Sequence, residues 1–131
     1  MRTLYLAGAV CTTIGLLLTQ ARLTLAAETC PIYSIETDQM EPVPTLTAWS
    51  LGDEISGTIR AEDDKGVVNI REDAGMEFDV VTTAQPAEAI MMTDHALSTD
   101  CRNWFKVTFA DGRIGWVHGR YVESDRAFSP F

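Results

Sequence analysis

Beyond residue 54, apolar and polar positions alternate with a period of two, the spacing of a strand with one buried face. Residues 55–61 (Ile55, Gly57, Ile59 and Ala61 against Ser56, Thr58 and Arg60) open the pattern. The acidic run Glu62-Asp63-Asp64-Lys65-Gly66 reads as a turn, and Val67-Val68-Asn69-Ile70-Arg71 as the next strand. After a second turn at 72–75, a strand is expected from Phe78 through Val80 and Val81 to Ala84, ended by Pro86. Residues 88–93 give another, followed by a polar loop over 94–100. The densest signal is at 103–118. There Trp104, Phe105, Val107 and Phe109 are joined by Asp111-Gly112 to Ile114, Trp116 and Val117, a hairpin in which glycine takes the positive-φ turn position. Gly119-Arg120-Tyr121-Val122-Glu123 closes the series. Short strands separated by turn residues, with no convincing helical period, predict an all-β barrel or sandwich.

The ends read differently. Residues 1–27 combine Arg2, an apolar run over 4–18 and an exit at Leu25-Ala26-Ala27, the layout of a cleaved secretory signal peptide. The run is short for a membrane span, which takes ~20 residues, so no stable membrane anchor is expected after cleavage; an uncleaved anchor helix is the alternative. Residues 28–54, broken by Pro31, Pro42 and Pro44, are read as an irregular N-terminal segment, with a short strand possible near 32–35. Residues 55–123 form the barrel and 124–131 a C-terminal tail, with Phe128 and Phe131 able to dock.

Charge and cysteines narrow the function class. The formal net charge is −9, from 19 acidic and 10 basic residues, and it becomes −11 when Arg2 and Arg22 leave with the signal. Such a surface repels phosphate backbones, so nucleic acid is not an expected partner. Cys11 falls in the signal. Cys30 and Cys101 remain, and an even count in an exported chain points to a disulfide. It closes a long loop, worth ~3–4 kcal/mol on the chain-entropy model. Two free thiols or an intermolecular bridge are the alternatives. Neither cysteine has zinc-ligand spacing. His95 and His118 are the only histidines, so Cys101 with His118 is the sole nucleophile–base pair to weigh, and the disulfide competes for that thiol. Glu62, Asp63, Asp64 and Asp73 are hard-cation ligand types, but their spacing matches no calcium loop and solvated charge is the simpler reading. No catalytic residue, metal or cofactor is expected.

Between residues 67 and 122 the chain resembles the bacterial SH3-like (SH3b) domain. Val68-Asn69-Ile70-Arg71 matches the family's strand of alternating apolar residues, Asn and Arg. Trp104-Phe105-Lys106-Val107 matches its WxxV strand. Asp111-Gly112-Arg113-Ile114-Gly115-Trp116-Val117 matches its GWV strand, and Gly119-Arg120-Tyr121-Val122 its one-turn ending. Two departures are Glu72-Asp73-Ala74-Gly75, which lacks the usual proline, and residues 87–92, which replace the central valine-rich strand. The resemblance implies a small SH3-like barrel of about five to seven short strands. It also implies a non-catalytic binding module, which the signal peptide would make secreted or periplasmic, whose partner is cell-wall (peptidoglycan) peptide or glycan or an envelope protein. A structural domain docking onto a larger envelope assembly, or an accessory to a cell-wall hydrolase, are the alternatives. Trp104, Tyr121, His118 and Arg120 are the exposed candidates for ligand binding. Structural roles fall to Asn69, bonding loop backbone; Arg71, pairing with Asp73 or Glu72; Gly115, admitting a close neighbour; and Trp116, filling the core.

Overall fold

The Asp-Gly hairpin forms where the pattern places it. Strands β7 (Asn103–Phe109) and β8 (Ile114–His118) pair antiparallel, with Lys106 opposite Trp116 and Val107 opposite Gly115. Gly112 turns the chain at φ +91, donating its N–H to the Phe109 carbonyl at 3.0 Å, and Phe109 N–H reaches Arg113 O at 2.9 Å. Around this hairpin the computed structural model, which describes residues 28–63 and 66–128, arranges seven further strands. They are β1 (Thr29–Ser34), β2 (Gln39–Pro44), β3 (Trp49–Ile59), β4 (Val68–Arg71), β5 (Val80–Ala84), β6 (Ala89–Leu97) and β9 (Val122–Ser124). A single 3₁₀ turn, Gly119–Tyr121, separates β8 from β9. The main antiparallel sheet has the order β5-β4-β8-β7-β6-β3-β9, and β1 and β2 form a separate hairpin. Register shifts between Ser50 and Ile55 of β3 and between Met92 and Asp94 of β6 bend the sheet. The result is an all-β, SH3-like barrel. The proposed signal peptide lies outside the described residues.

Period two decides what is buried. Phe105, Val107 and Phe109 of β7 join Val117, Ile55, Ile59, Ile70, Ile90 and Met92 in the principal core. Each such side chain contributes ~1.5–3 kcal/mol on burial. The alternate positions face the other way. Trp104 and Trp116 occupy that opposite face and form a second buried cluster with Ala74 and Ala96. Trp116 therefore does not fill the barrel core as the sequence suggested. It is one residue out of phase with Val117, and the β4–β5 loop, through Ala74, covers it.

Gly115 sits where β8 meets β4, which pair through Arg71 and Trp116. A Cβ there would collide with Ile70 Cγ2 and lie 3.0 Å from the Arg71 carbonyl.

Two other expectations change, and one about the tail is met. Residues 28–54 are not irregular: β1 and β2 pair from Thr29–Pro44 to Ser34–Gln39, and β3 starts at Trp49. Prolines 31, 42 and 44 are compatible because a two-stranded hairpin offers edge positions that need no donor. The hairpin is tied to the barrel by the Cys30–Cys101 disulfide (Cα–Cα 5.6 Å) and by Leu46 N–H on the Leu97 carbonyl at 2.8 Å. The polar loop expected from residue 94 begins later, because β6 continues to Leu97 and buries His95, Ala96 and Leu97. In the tail, Phe128 packs edge-on against Phe105 at 5.7 Å; Phe131 lies outside the described residues.

Candidate functional site

The cleft of interest opens where the end of β8, the 3₁₀ turn, the start of β7 and the β3–β4 connection converge. Its volume is about 220 Å³. Glu62, Asp63 and Val67 form one wall; Asn69, Arg71 and Met76 form another; Trp104, His118 and Tyr121 complete it. A neighbouring hollow is bounded by Met76, Asp100, Arg102, His118, Arg120 and Tyr121.

The four residues named from the sequence as binding candidates come together here. The His118 ring lies 5.3 Å from Trp104 and 6.0 Å from Tyr121, tilted 59° and 65° to them. The Arg120 guanidinium stands 5.2 Å over the Tyr121 ring and pairs with Glu62. His118 also begins the 3₁₀ turn: its Nδ1 accepts the Arg120 backbone N–H at 3.1 Å. That bond fixes the tautomer, so the neutral ring carries its proton on Nε2. Burial, reinforced by the positive charges of Arg120 and Arg102 and opposed by Asp100, holds the His118 pKa below the usual histidine value.

Trp104 is placed differently from the expectation of exposure. Its side chain is 1% exposed, because the start of β7 is covered by Ala74, Ala96 and Trp116. It still lines the cleft, and its buried indole Nε1 has no hydrogen-bond partner among the described residues. An unpaired buried donor costs ~1–3 kcal/mol.

Two structural assignments also change. Arg71 donates to the Phe78 carbonyl at 2.8 Å instead of pairing with Asp73 or Glu72. The bond ties β4 to the base of the β4–β5 loop, while Asp73 accepts from Ala74 N–H at 2.8 Å. Asn69 is exposed on the cleft wall and makes no side-chain hydrogen bond among the described residues, since its partner strand already supplies the ladder.

Arg102 and Met76 were not singled out from the sequence. Arg102 had a signal, being one of few basic residues in an acidic chain and adjoining Cys101 at the entry to β7. Met76, 63% exposed on the β4–β5 loop, had none. Among the described residues no group of three or more His, Cys, Asp or Glu gathers as a metal site. Cys101 is held in the disulfide, which removes it as a thiolate nucleophile.

Comparison with known proteins agrees with this geometry. Over 62 residues, 47% of the chain, the sequence is 29% identical to probable endopeptidase p60 of Listeria innocua, and equally to the protein of that name from Listeria monocytogenes. The match spans 12% of either relative's length. No solved structure matches. Residues 66–123 fit the profile of the bacterial SH3 domain, a segment that runs from the approach to β4 through the 3₁₀ turn to β9. With the strand order, the glycine crossing at 115 and the aromatic turn in place, this chain carries a bacterial SH3 domain at residues 66–123.

Proposed function

We propose that the protein is a non-catalytic, exported binding module that holds a cell-wall peptide in the cleft formed by Trp104, His118, Tyr121 and Arg120. The observation that carries this reading is the convergence of three aromatic rings on one cleft, with the Arg120 guanidinium over Tyr121 in the adjoining hollow. Flat rings beside a narrow groove suit an extended chain, which needs apolar contact along its length and a few fixed polar partners. The disulfide and the sequence of residues 1–27 support export to an oxidising compartment. The endopeptidase relatives support a cell-envelope setting, and their similarity lies in the segment carrying the cleft.

Co-sedimentation with purified peptidoglycan tests the proposal. The wild type should pellet with the wall material, and Tyr121→Ala with His118→Ala should stay in solution while keeping the wild-type circular dichroism spectrum. Wild-type protein that remains in the supernatant contradicts the reading. These two positions are better probes than Trp104, whose loss opens a cavity in the second core cluster.

A second reading, docking onto an envelope protein, is favoured by the β1–β2 hairpin. Tyr33, Ile35 and Met40 there are 54%, 87% and 59% exposed. Crosslinking in cells would then recover a partner through this hairpin, and recovery would be lost on substituting those three residues.

A further inference from the structure

Hydrogen-bond donors with spare capacity recur around the cleft, beside the exposed amide of Asn69, which offers both donor and acceptor. Trp104 Nε1–H is buried without a partner among the described residues. His118 spends Nδ1 as an acceptor on the Arg120 backbone, which leaves Nε2–H as a donor. Arg102 lines the adjoining hollow with His118 and Arg120, and its guanidinium has no ion-pair or hydrogen-bond partner among the described residues. The nearby acids are largely engaged: Glu62 pairs with Arg120, and Asp100 accepts from Ser98 Oγ. Donors left free call for acceptors on a ligand, and guanidinium matches carboxylate geometry in particular.

Resting on the binding role above, we propose that the ligand is recognised through a peptide carboxylate, with Arg102 as the specificity-determining residue. Arg102 forms the charge-assisted contact, and His118, which lines both hollows, donates from Nε2–H to the carboxylate or to a neighbouring amide carbonyl, while the buried Trp104 indole 5.3 Å from the His118 ring senses the occupied site. The two ends of the site differ accordingly. Tyr121 and Arg120 supply stacking surface, and Arg102 supplies charge selection in a chain whose overall negative charge would otherwise repel an anionic peptide.

The test uses the whole secreted chain and two probes. The first is purified peptidoglycan before and after its carboxyl groups are amidated with a carbodiimide and ammonia. The second is the tripeptide N-acetyl-Ala-Glu-Ala against its fully amidated counterpart, followed through the tryptophan indole N–H resonances, with Trp104→Phe assigning the signal. Amidation should reduce the pelleted fraction at least fivefold, and only the free carboxylate peptide should move the Trp104 indole resonance. Arg102→Gln should erase that discrimination, Arg102→Lys should keep part of it, and Arg113→Gln, the same charge change at the hairpin tip, should leave it intact. Equal binding to native and amidated wall material overturns the carboxylate proposal but leaves the binding role standing. Binding to neither overturns both. Discrimination that survives Arg102→Gln overturns the assignment to Arg102.

Discussion

Gly115→Ala is the smallest change that probes how the barrel is closed around its cleft. Glycine is required here by space. An added methyl meets Ile70 Cγ2, the Arg71 carbonyl at 3.0 Å and Val81 Cγ2 at 3.2 Å. Ile70 is fully buried in the principal core and the carbonyl is backbone, so neither has room to retreat. Forcing one methyl into a packed site typically costs ~1–3 kcal/mol. For a domain of this size that lowers Tm by about 4–8 °C per kcal/mol. Gly112→Ala is the matched control. Nothing lies within 4 Å of its added Cβ, but φ is +91, so its cost of ~1 kcal/mol is conformational and Gly112→Asn should recover part of it. The assay is urea unfolding followed by tryptophan fluorescence with the disulfide intact. Because β4 carries Asn69 and Arg71 to the cleft and β8 carries His118, Gly115→Ala should also weaken ligand retention, whereas Gly112→Ala should not. A Gly115→Ala protein within ~0.5 kcal/mol of wild type, the range of an ordinary surface change, would refute the reasoning.

Other perturbations separate the remaining contributions. Replacing Cys30 and Cys101 with Ser removes a cross-link spanning 71 residues, for which the chain-entropy model gives a loss of up to ~4 kcal/mol in urea unfolding; limited proteolysis should then cut first in the β1–β2 hairpin. His118 has a folded pKa below its unfolded value, so the unfolded chain takes up a proton first on acidification. Stability is complete above the unfolded value near 6.5 and declines as pH falls from there towards the folded pKa; a His118→Asn protein, which retains an acceptor for the Arg120 N–H, should show a shallower decline in Tm over that window. Arg71→Gln, by removing the donor to the Phe78 carbonyl, should cost about 1.5–3 kcal/mol in unfolding and increase hydrogen exchange over the β4–β5 loop.

Much of the barrel was legible because its strands alternate cleanly. The hairpin at 103–118 needed only aromatic and β-branched positions and an Asp-Gly turn. The site candidates were legible in part for the same reason: His118, Arg120 and Tyr121 lie within four residues, so a single tight turn brings them together. What alternation cannot show is which of two faces is the deeper one. Trp116 and Val117 are adjacent and both apolar, and only the β4–β5 loop folding over one face reveals that the tryptophans form a separate cluster. The β1–β2 hairpin was hidden by prolines that disfavour central strands but suit edges. The reach of Arg71 to Phe78 depends on loop geometry that no local motif encodes.

The central claim is that the aromatic turn at the end of the barrel is where a cell-wall peptide sits. Amide and indole chemical-shift mapping of the isotopically labelled protein, titrated with soluble peptidoglycan fragments, addresses it most directly. Saturable shifts concentrated at Asn69, Trp104 and residues 118–121 are the predicted result. Shifts confined to the β1–β2 hairpin, or no shifts at millimolar fragment, would contradict it.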